Sequence, residues 1–301
     1  MIQPALQGDA FRADVAAVRG SGASFHLWWL GQSGFLLHWQ GHFCLLDPYL
    51  SDSLTRKYAA TDKPHVRMSD RVVAPEYLGF VEVVTSSHNH TDHLDSETLL
   101  PILEANPAIH VLVPSANREF AAQRLGVKPE RLACIDSGES LQLGAFAFYG
   151  IPAAHENLEV DATGRHRYLG YVVRFGAWSL YHSGDTILYP GIEDRVLPHQ
   201  VTVALLPING RRPERRVSGN LWGREAARLA HDINAKWVIP CHHEMFAFNT
   251  ETSDEFVAGC RRLQQPHAVL RAGERWSPSE RPGETALTTR EQGGSWTQPN
   301  A

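Results

Sequence analysis

The stretch VEVVTSSHNHTDHLDSET, residues 81–98, decides the reading of this chain. Val81, Val83, Val84 and Thr85 make a β-branched run that reads as a buried strand over Val81–Ser86. It passes straight into His88-Asn89-His90-Thr91-Asp92-His93. A helix is then expected from about Ser96, with Asp95 or Ser96 as N-cap and Glu97 in the first turn. Four potential metal ligands therefore fall within six residues at a strand end. A tight loop there turns alternate side chains into one concave space, so His88 and His90 can clamp one ion while Asp92 and His93 reach a second. Imidazole and carboxylate donors without thiolate suit Zn, Mn, Fe or Co, and disfavour a structural zinc site. The plain alternative is a polar loop whose histidines cap the next helix; three histidines and an aspartate at this spacing argue against it.

Working outward, Phe25–Leu30, Phe35–Trp39 and Phe43–Leu46 are short apolar runs separated by turn formers, a meander of strands. Asp47–Asp70 has no sustained period and reads as a long loop with at most a short helix; loops of that length in a compact domain usually serve function. Downstream come a strand at Ile109–Val113, a helix at Ala116–Leu125, and strands at Ala133–Ile135, Leu141–Leu143, Phe146–Tyr149, Gly170–Phe175, Ser179–His182 and Val201–Leu206. A helix over Gly223–Ile233 puts Ala226, Ala227, Ala230 and Ile233 on one stripe. A strand at Trp237–Pro240, a helix at Ser253–Leu263 and a strand at Ala268–Arg271 follow. The pattern predicts an α/β fold, two sheets with helices on their outer faces. It forms one domain over 25–272, after a polar N-terminal extension, 1–24, with a short helix near Ala10–Val18, and before a polar, loosely packed tail, 273–301.

Composition narrows the function classes. The 301 residues carry 28 basic and 33 acidic side chains, a formal charge of −5, and 43% apolar residues, enough for a sizeable core. Mild acidity without a long basic run argues against nucleic acid, and no apolar run approaches the roughly 18 residues of a membrane span. Asp9, Arg12 and Asp14 interrupt the segment where a signal peptide needs an apolar core. Cys44, Cys134, Cys241 and Cys260 form no CxxC pair, so reduced thiols and a cytoplasmic location are expected.

HxHxDH after a hydrophobic strand resembles the signature of the metallo-β-lactamase superfamily, whose fold is a four-layer αβ/βα sandwich with a dinuclear metal site at one edge of its sheets. Within it, WWLGQSGFLL (Trp28–Leu37), SLYHSGDT (Ser179–Thr186) and NAKWVIPCHHEMF (Asn234–Phe246) resemble the L-ascorbate-6-phosphate lactonase group, so the likeness spans Phe25 to Phe246. The resemblance implies one metal site from His88, His90 and His155, and a second from Asp92, His93 and His242. Asp185 would bridge the two, with Asp92 and Asp185 the catalytic carboxylates. His155 in GIPAAHEN and Asp185 in SGDT are unremarkable alone. His242 rather than His243 is the expected last ligand on the IPxH spacing, and strand alternation allows only one of them to face the metals; His243 would then support a ligand or face substrate. Ser183 and Thr186 are expected to orient Asp185, and His182 is either a supporting group or core.

The implied activity is hydrolysis by a hydroxide that two divalent ions (Mn or Zn, with Fe possible) activate. A lactone of a phosphorylated sugar acid is the expected substrate and a phosphodiester the alternative. A di-iron redox protein would need an adjoining flavin domain, for which ~55 residues after His242 are too few. A nuclease would bring positive charge, and a metal-binding scaffold without turnover is the remaining reading. In INGRRPERR (Ile208–Arg216), four arginines within six residues are expected to grip a small anionic substrate, Arg211 and Arg212 foremost; a solvated loop or a homo-oligomer contact is the bland alternative. Lys57, Tyr58 and His65 are candidates for the entrance.

Overall fold

The computed structural model describes residues 1–22 and 24–278. Strands β1 (Phe25–Gly31), β2 (Gly34–Trp39) and β3 (His42–Leu46) form the antiparallel meander that their apolar runs predict. β4 (Val83–Thr85), β5 (His110–Pro114) and β6 (Leu132–Ile135) then add in parallel. The second sheet takes β7 (Ser140–Leu143), β8 (Phe146–Pro152), β9 (Leu169–Phe175) and β10 (Trp178–His182) antiparallel, and β11 (Val203–Pro207) and β12 (Trp237–Cys241) parallel to β10.

Strand alternation sorts the second sheet's side chains between two cores. Tyr171, Val173, Val203 and Leu205 face inward against Phe25, Leu37 and Leu45 of the first sheet. Val172, Ala204, Leu206 and Val238 face outward, onto α6 (Gly223–Asp232) and α7 (Asp254–Leu263). On the far side, α3 (Ser96–Ala105) and α4 (Arg118–Leu125) bury Leu99, Ile102, Ala121 and Leu125 against the first sheet. Helix, sheet, sheet, helix is the metallo-β-lactamase architecture.

The helix expected near Ala10–Val18 is present as α1 (Gly8–Val18); it places Phe11, Val15 and Val18 on one stripe, and all three join the main core. Two expectations change. Ala268–Arg271 forms no strand; His267 makes only an isolated bridge to Val238. Instead β13 (Arg275–Trp276) pairs antiparallel with β1, so Gly273–Trp276 is packed structure, because Trp276 has the Phe25 and Trp237 rings to cover. The tail expected beyond it, 279–301, lies outside the described residues. Two further short helices are α2 (Ser53–Tyr58), inside the long loop, and α5 (Ile192–Val196); nothing in the periodicity announces α5. No helix among the described residues is long and apolar enough to cross a membrane.

Candidate metal centre

Parallel pairing brings the C-terminal ends of β3, β4, β10 and β12 to one edge, and β8 ends there too. Asp47 follows β3, the His88–His93 loop follows β4, His155 follows β8, Asp185 follows β10 and His242 follows β12. Two backbone features make the convergence possible. Gly184 has φ +60°, and a Cβ there would lie 2.7 Å from the Ser87 Cβ and 2.8 Å from the Leu169 carbonyl, so only glycine lets the Asp185 turn meet the β4 loop. His242 itself has φ +59°, unusual for a non-glycine residue, and is pinned there by its N–H donating to the Gln32 carbonyl at 2.8 Å.

The side chains form three overlapping groups, each with donor atoms within 4.8 Å of one another: His88, His90 and His155; His88, His93 and Asp185; Asp92, His93 and His242. Asp185 stands between them. Its Oδ1 is 3.3 Å from His93 Nε2, and its Oδ2 is 3.3 Å from His242 Nε2 and 3.7 Å from His155 Nε2. Asp92 Oδ2 lies 3.5 Å from His242 Nε2. The structure thus brings together all seven residues expected as ligands.

Whether the set fits cations is answered by its unpaired atoms. Nε2 of His88, Nε2 of His93 and Oδ1 of Asp185 are buried with no hydrogen-bond partner among the described residues. Unpaired buried polar atoms are costly, and donors left open toward one another are what a metal would satisfy. Other ring nitrogens are taken: His155 Nδ1 donates to the Gly219 carbonyl at 3.0 Å, and Ser87 Oγ lies 3.0 Å from His88 Nδ1. Electrostatics follow the same logic. Burial opposes charge on His93 and His242, but Asp185 and Asp92 outweigh it, holding His93 well above the ordinary imidazole range and His242 at about 9. The same histidines, against burial, keep Asp92 and Asp185 well below the usual carboxylate range. Burial and the neighbouring His93 push His88 well down. These three rings and two carboxylates therefore hold an electrostatic balance that divalent cations can take over.

Two supporting residues escape the sequence reading. Asp47 Oδ2 lies 2.8 Å from His93 Nδ1 and the carboxylate also accepts from Thr85 Oγ1 and the Ser87 N–H. Gln32, in the β1–β2 turn, donates from Nε2 to Asp92 Oδ2 at 2.8 Å. The only local signal was their position at strand ends. Conversely, Ser183 and Thr186 do not hydrogen-bond Asp185: Ser183 Oγ donates to the Gly184 carbonyl, and Thr186 Oγ1 accepts from the Ala154 N–H. His182 is core, its Nε2 on the Ser33 carbonyl at 2.9 Å.

The substrate-side expectations need correction. Arg211 forks onto Glu225 (2.6 and 2.7 Å), and Arg212 onto Glu251 (2.5 and 3.0 Å). Neither lines the cavity over the metal centre; each instead turns a two-pronged fork of its guanidinium onto a carboxylate. His243 is turned away as well: it is buried, stacked on Trp29 at 4.5 Å, and burial holds its pKa at about 4. The cavity, of about 410 Å³, has Asp92, Asp185, His90, His155 and His242 in its floor and Lys57, Lys63 and Arg216 in its wall. Arg216 pairs with the exposed Asp62 at 2.5 Å, while Lys63 Nζ donates to the Arg216 carbonyl. Lys57 has no hydrogen bond or ion pair among the described residues.

Comparison with known proteins bears on the family and the fold. Residues 26–242 match the model of the beta-lactamase superfamily domain. The chain is 28% identical over 252 residues to a UPF0173 metal-dependent hydrolase of Rhizobium leguminosarum bv. trifolii, covering 82% of this chain and 97% of that protein. It is 25% identical to a protein of Salmonella heidelberg named as a probable L-ascorbate-6-phosphate lactonase, over 74% of this chain and 71% of the other. In fold it is similar to an isothiocyanate hydrolase from Delia radicum gut bacteria (TM-score 0.66, 17% identity, covering 84% of this chain and all of that one). A metallo hydrolase of Ignicoccus hospitalis is similar too (TM-score 0.62, 18% identity, covering 86% of this chain and all of that one).

Proposed function

The chain belongs to the beta-lactamase superfamily and is a metal-dependent hydrolase, and we propose that it opens the lactone ring of a phosphorylated sugar acid. The observation that carries this reading is the shared cavity: a floor of metal-ligating side chains under a wall bearing Lys57, Lys63 and Arg216. A single 410 Å³ space suits a small substrate with one anionic end, whereas a long polymer would need an open track.

His88, His90 and His155 would hold one divalent cation, Asp92, His93 and His242 a second, and Asp185 would lie between them. Two such ions, when bound, supply acidity to a water and polarise the electrophilic oxygen. Everything else falls to the chain. Asp92 and Asp185 stay ionised throughout the neutral range and offset the repulsion of paired cations. Gln32 and Asp47 hold Asp92 and His93 in orientation. Lys57, Lys63 and Arg216 receive the phosphate and bring the lactone carbonyl over the floor. In the reaction, water's oxygen bonds to the carbonyl carbon, the ring C–O bond breaks, the ring oxygen takes one of water's protons, and a carboxylate and an alcohol result, with the other proton released to solvent. Imidazole and carboxylate donors suit Mn or Zn, with Fe also matched to the set. Four free cysteines suit a reducing compartment, consistent with a cytoplasmic enzyme.

The test is a pH-stat assay of protein reconstituted with Mn or Zn on L-ascorbate 6-phosphate, glucono-lactone 6-phosphate, unphosphorylated gluconolactone and bis(p-nitrophenyl) phosphate. Acid release from the phosphorylated lactones, well above that from the plain lactone, is expected. Turnover of the phosphodiester with none of the lactones would replace this reading by a phosphodiesterase.

A further inference from the structure

Above the metal centre, the cavity wall contains a group that neither metal binding nor anion binding uses. His65 lines the cavity beside Tyr58, Phe246 and Phe248, in a loop that follows α2. Tyr58 stacks on its ring at 4.3 Å and 21°, while Phe248 and Phe246 meet it edge-on at 4.5 and 5.0 Å. The imidazole is thus clamped by three aromatic rings, one from the end of α2 and two from the loop after β12. Its Nδ1 lies 2.9 Å from the Lys63 carbonyl, which can only accept, so Nδ1 carries the hydrogen. In the neutral ring the other nitrogen, Nε2, then presents a lone pair, and it has no partner among the described residues. Burial lowers the His65 pKa from its ordinary value, against the raising influence of the Lys63 carbonyl and Asp92, so the ring is neutral at pH 7. The charged groups nearest it are Lys57, Lys63 and Asp92.

Such a wall has a chemistry of its own. A fixed acceptor set among aromatic faces suits a ring or chain that offers apolar C–H surface and a hydroxyl together, and it lies next to the cations that would take an anionic end. We propose that Tyr58, His65, Phe246 and Phe248 form a subsite for the hydroxylated carbon skeleton of the substrate, with His65 Nε2 accepting a hydrogen bond from one substrate hydroxyl. This rests on the reading of the cavity as a phosphorylated-substrate site, and makes His65 the residue that selects a polyol over an alkyl chain bearing the same phosphate. The tautomer is set by the backbone, so the selection needs no side chain beyond the cavity.

The experiment uses two probes of equal charge, glucose 6-phosphate and hexyl phosphate, titrated by NMR into the full-length zinc-loaded protein and its His65→Phe and His65→Gln variants. The His65→Phe change is expected to shift the ratio of the two Kd values against glucose 6-phosphate by roughly three- to tenfold, the weight of one hydrogen bond. His65→Gln, which keeps an acceptor oxygen, should retain part of the preference. In the unsubstituted protein, the His65 Nε2 nitrogen-15 resonance should move with glucose 6-phosphate and stay put with hexyl phosphate; this holds even if a variant fails to fold. A ratio unchanged in His65→Phe, or an Nε2 resonance indifferent to both probes, overturns the subsite. Lactone turnover is scored separately: a protein that hydrolyses no lactone yet keeps the His65-dependent ratio overturns the proposed reaction and supports the subsite.

Discussion

Asp47 Oδ2 and His93 Nδ1 lie 2.8 Å apart, both side chains fully buried. The contact fixes the His93 ring so that Nε2 faces Asp185 and Asp92, and it spans 46 residues of sequence between two adjacent parallel strands. Ligand histidines held by a carboxylate through the remote nitrogen bind metal more tightly and in one orientation.

The Asp47→Asn variant should therefore weaken metal binding by roughly ten- to a hundredfold while leaving all seven ligands in place. Competition against a chelator measures this directly. Unaltered affinity would show that packing alone orients His93.

Replacing Asp185 by Asn keeps its shape but removes the charge next to His93, His155 and His242. Metal content by elemental analysis is expected to fall from two ions per chain to one or none, with nearly all hydrolysis lost. Two ions retained in the variant would remove Asp185 from the bridging position.

The corrected arginine assignment separates two sets of variants. Lys57→Ala and Arg216→Ala should raise KM for a phosphorylated substrate by roughly three- to tenfold, more at low salt than at high, since both groups are near solvent. Arg211→Ala and Arg212→Ala should leave KM alone. They should lower Tm by a few degrees at most, about the effect of one exposed bidentate pair. A KM change from Arg211→Ala equal to that from Arg216→Ala would restore the original placement of the anion site.

His243 gives a pH prediction. Burial against Trp29 holds its pKa at about 4, below the ordinary 6.5. Between these values the unfolded chain binds a proton that the folded protein does not, so stability rises with pH across that window. The contribution is full above pH 6.5 and is lost as pH falls toward 4, on the order of 3 kcal/mol in all. Urea unfolding of chelator-treated protein at several pH values should show a slope about one proton smaller in His243→Phe, which keeps an aromatic ring on Trp29. Parallel pH curves would mean that His243 is protonated in the fold.

The parts of this protein that were legible in its sequence are those whose physics is local. HNHTDH places four donors within six residues at the end of a β-branched run, and no distant partner is needed to see a metal site in it. Alternating apolar strands and the Ala226–Ala230 stripe likewise expose the layers, because a strand or helix repeats its buried face every two or every 3.6 residues. The roles of Asp47 and Gln32 were not legible. An aspartate before a proline and a glutamine in a turn are ordinary until the sheet edge sets each beside its partner. The arginine run shows the converse. Four guanidinium groups announce anion binding, but Glu225 and Glu251 lie within reach only after α6 and the loops pack, and they take Arg211 and Arg212 as their own counter-ions, while Arg216, whose partner Asp62 is exposed, still lines the cavity. Chain-local spacing determines which chemistry is present. Which atoms are left unpaired to perform it is decided by tertiary contacts, since a hydrogen bond or ion pair made within the fold removes a group from the site.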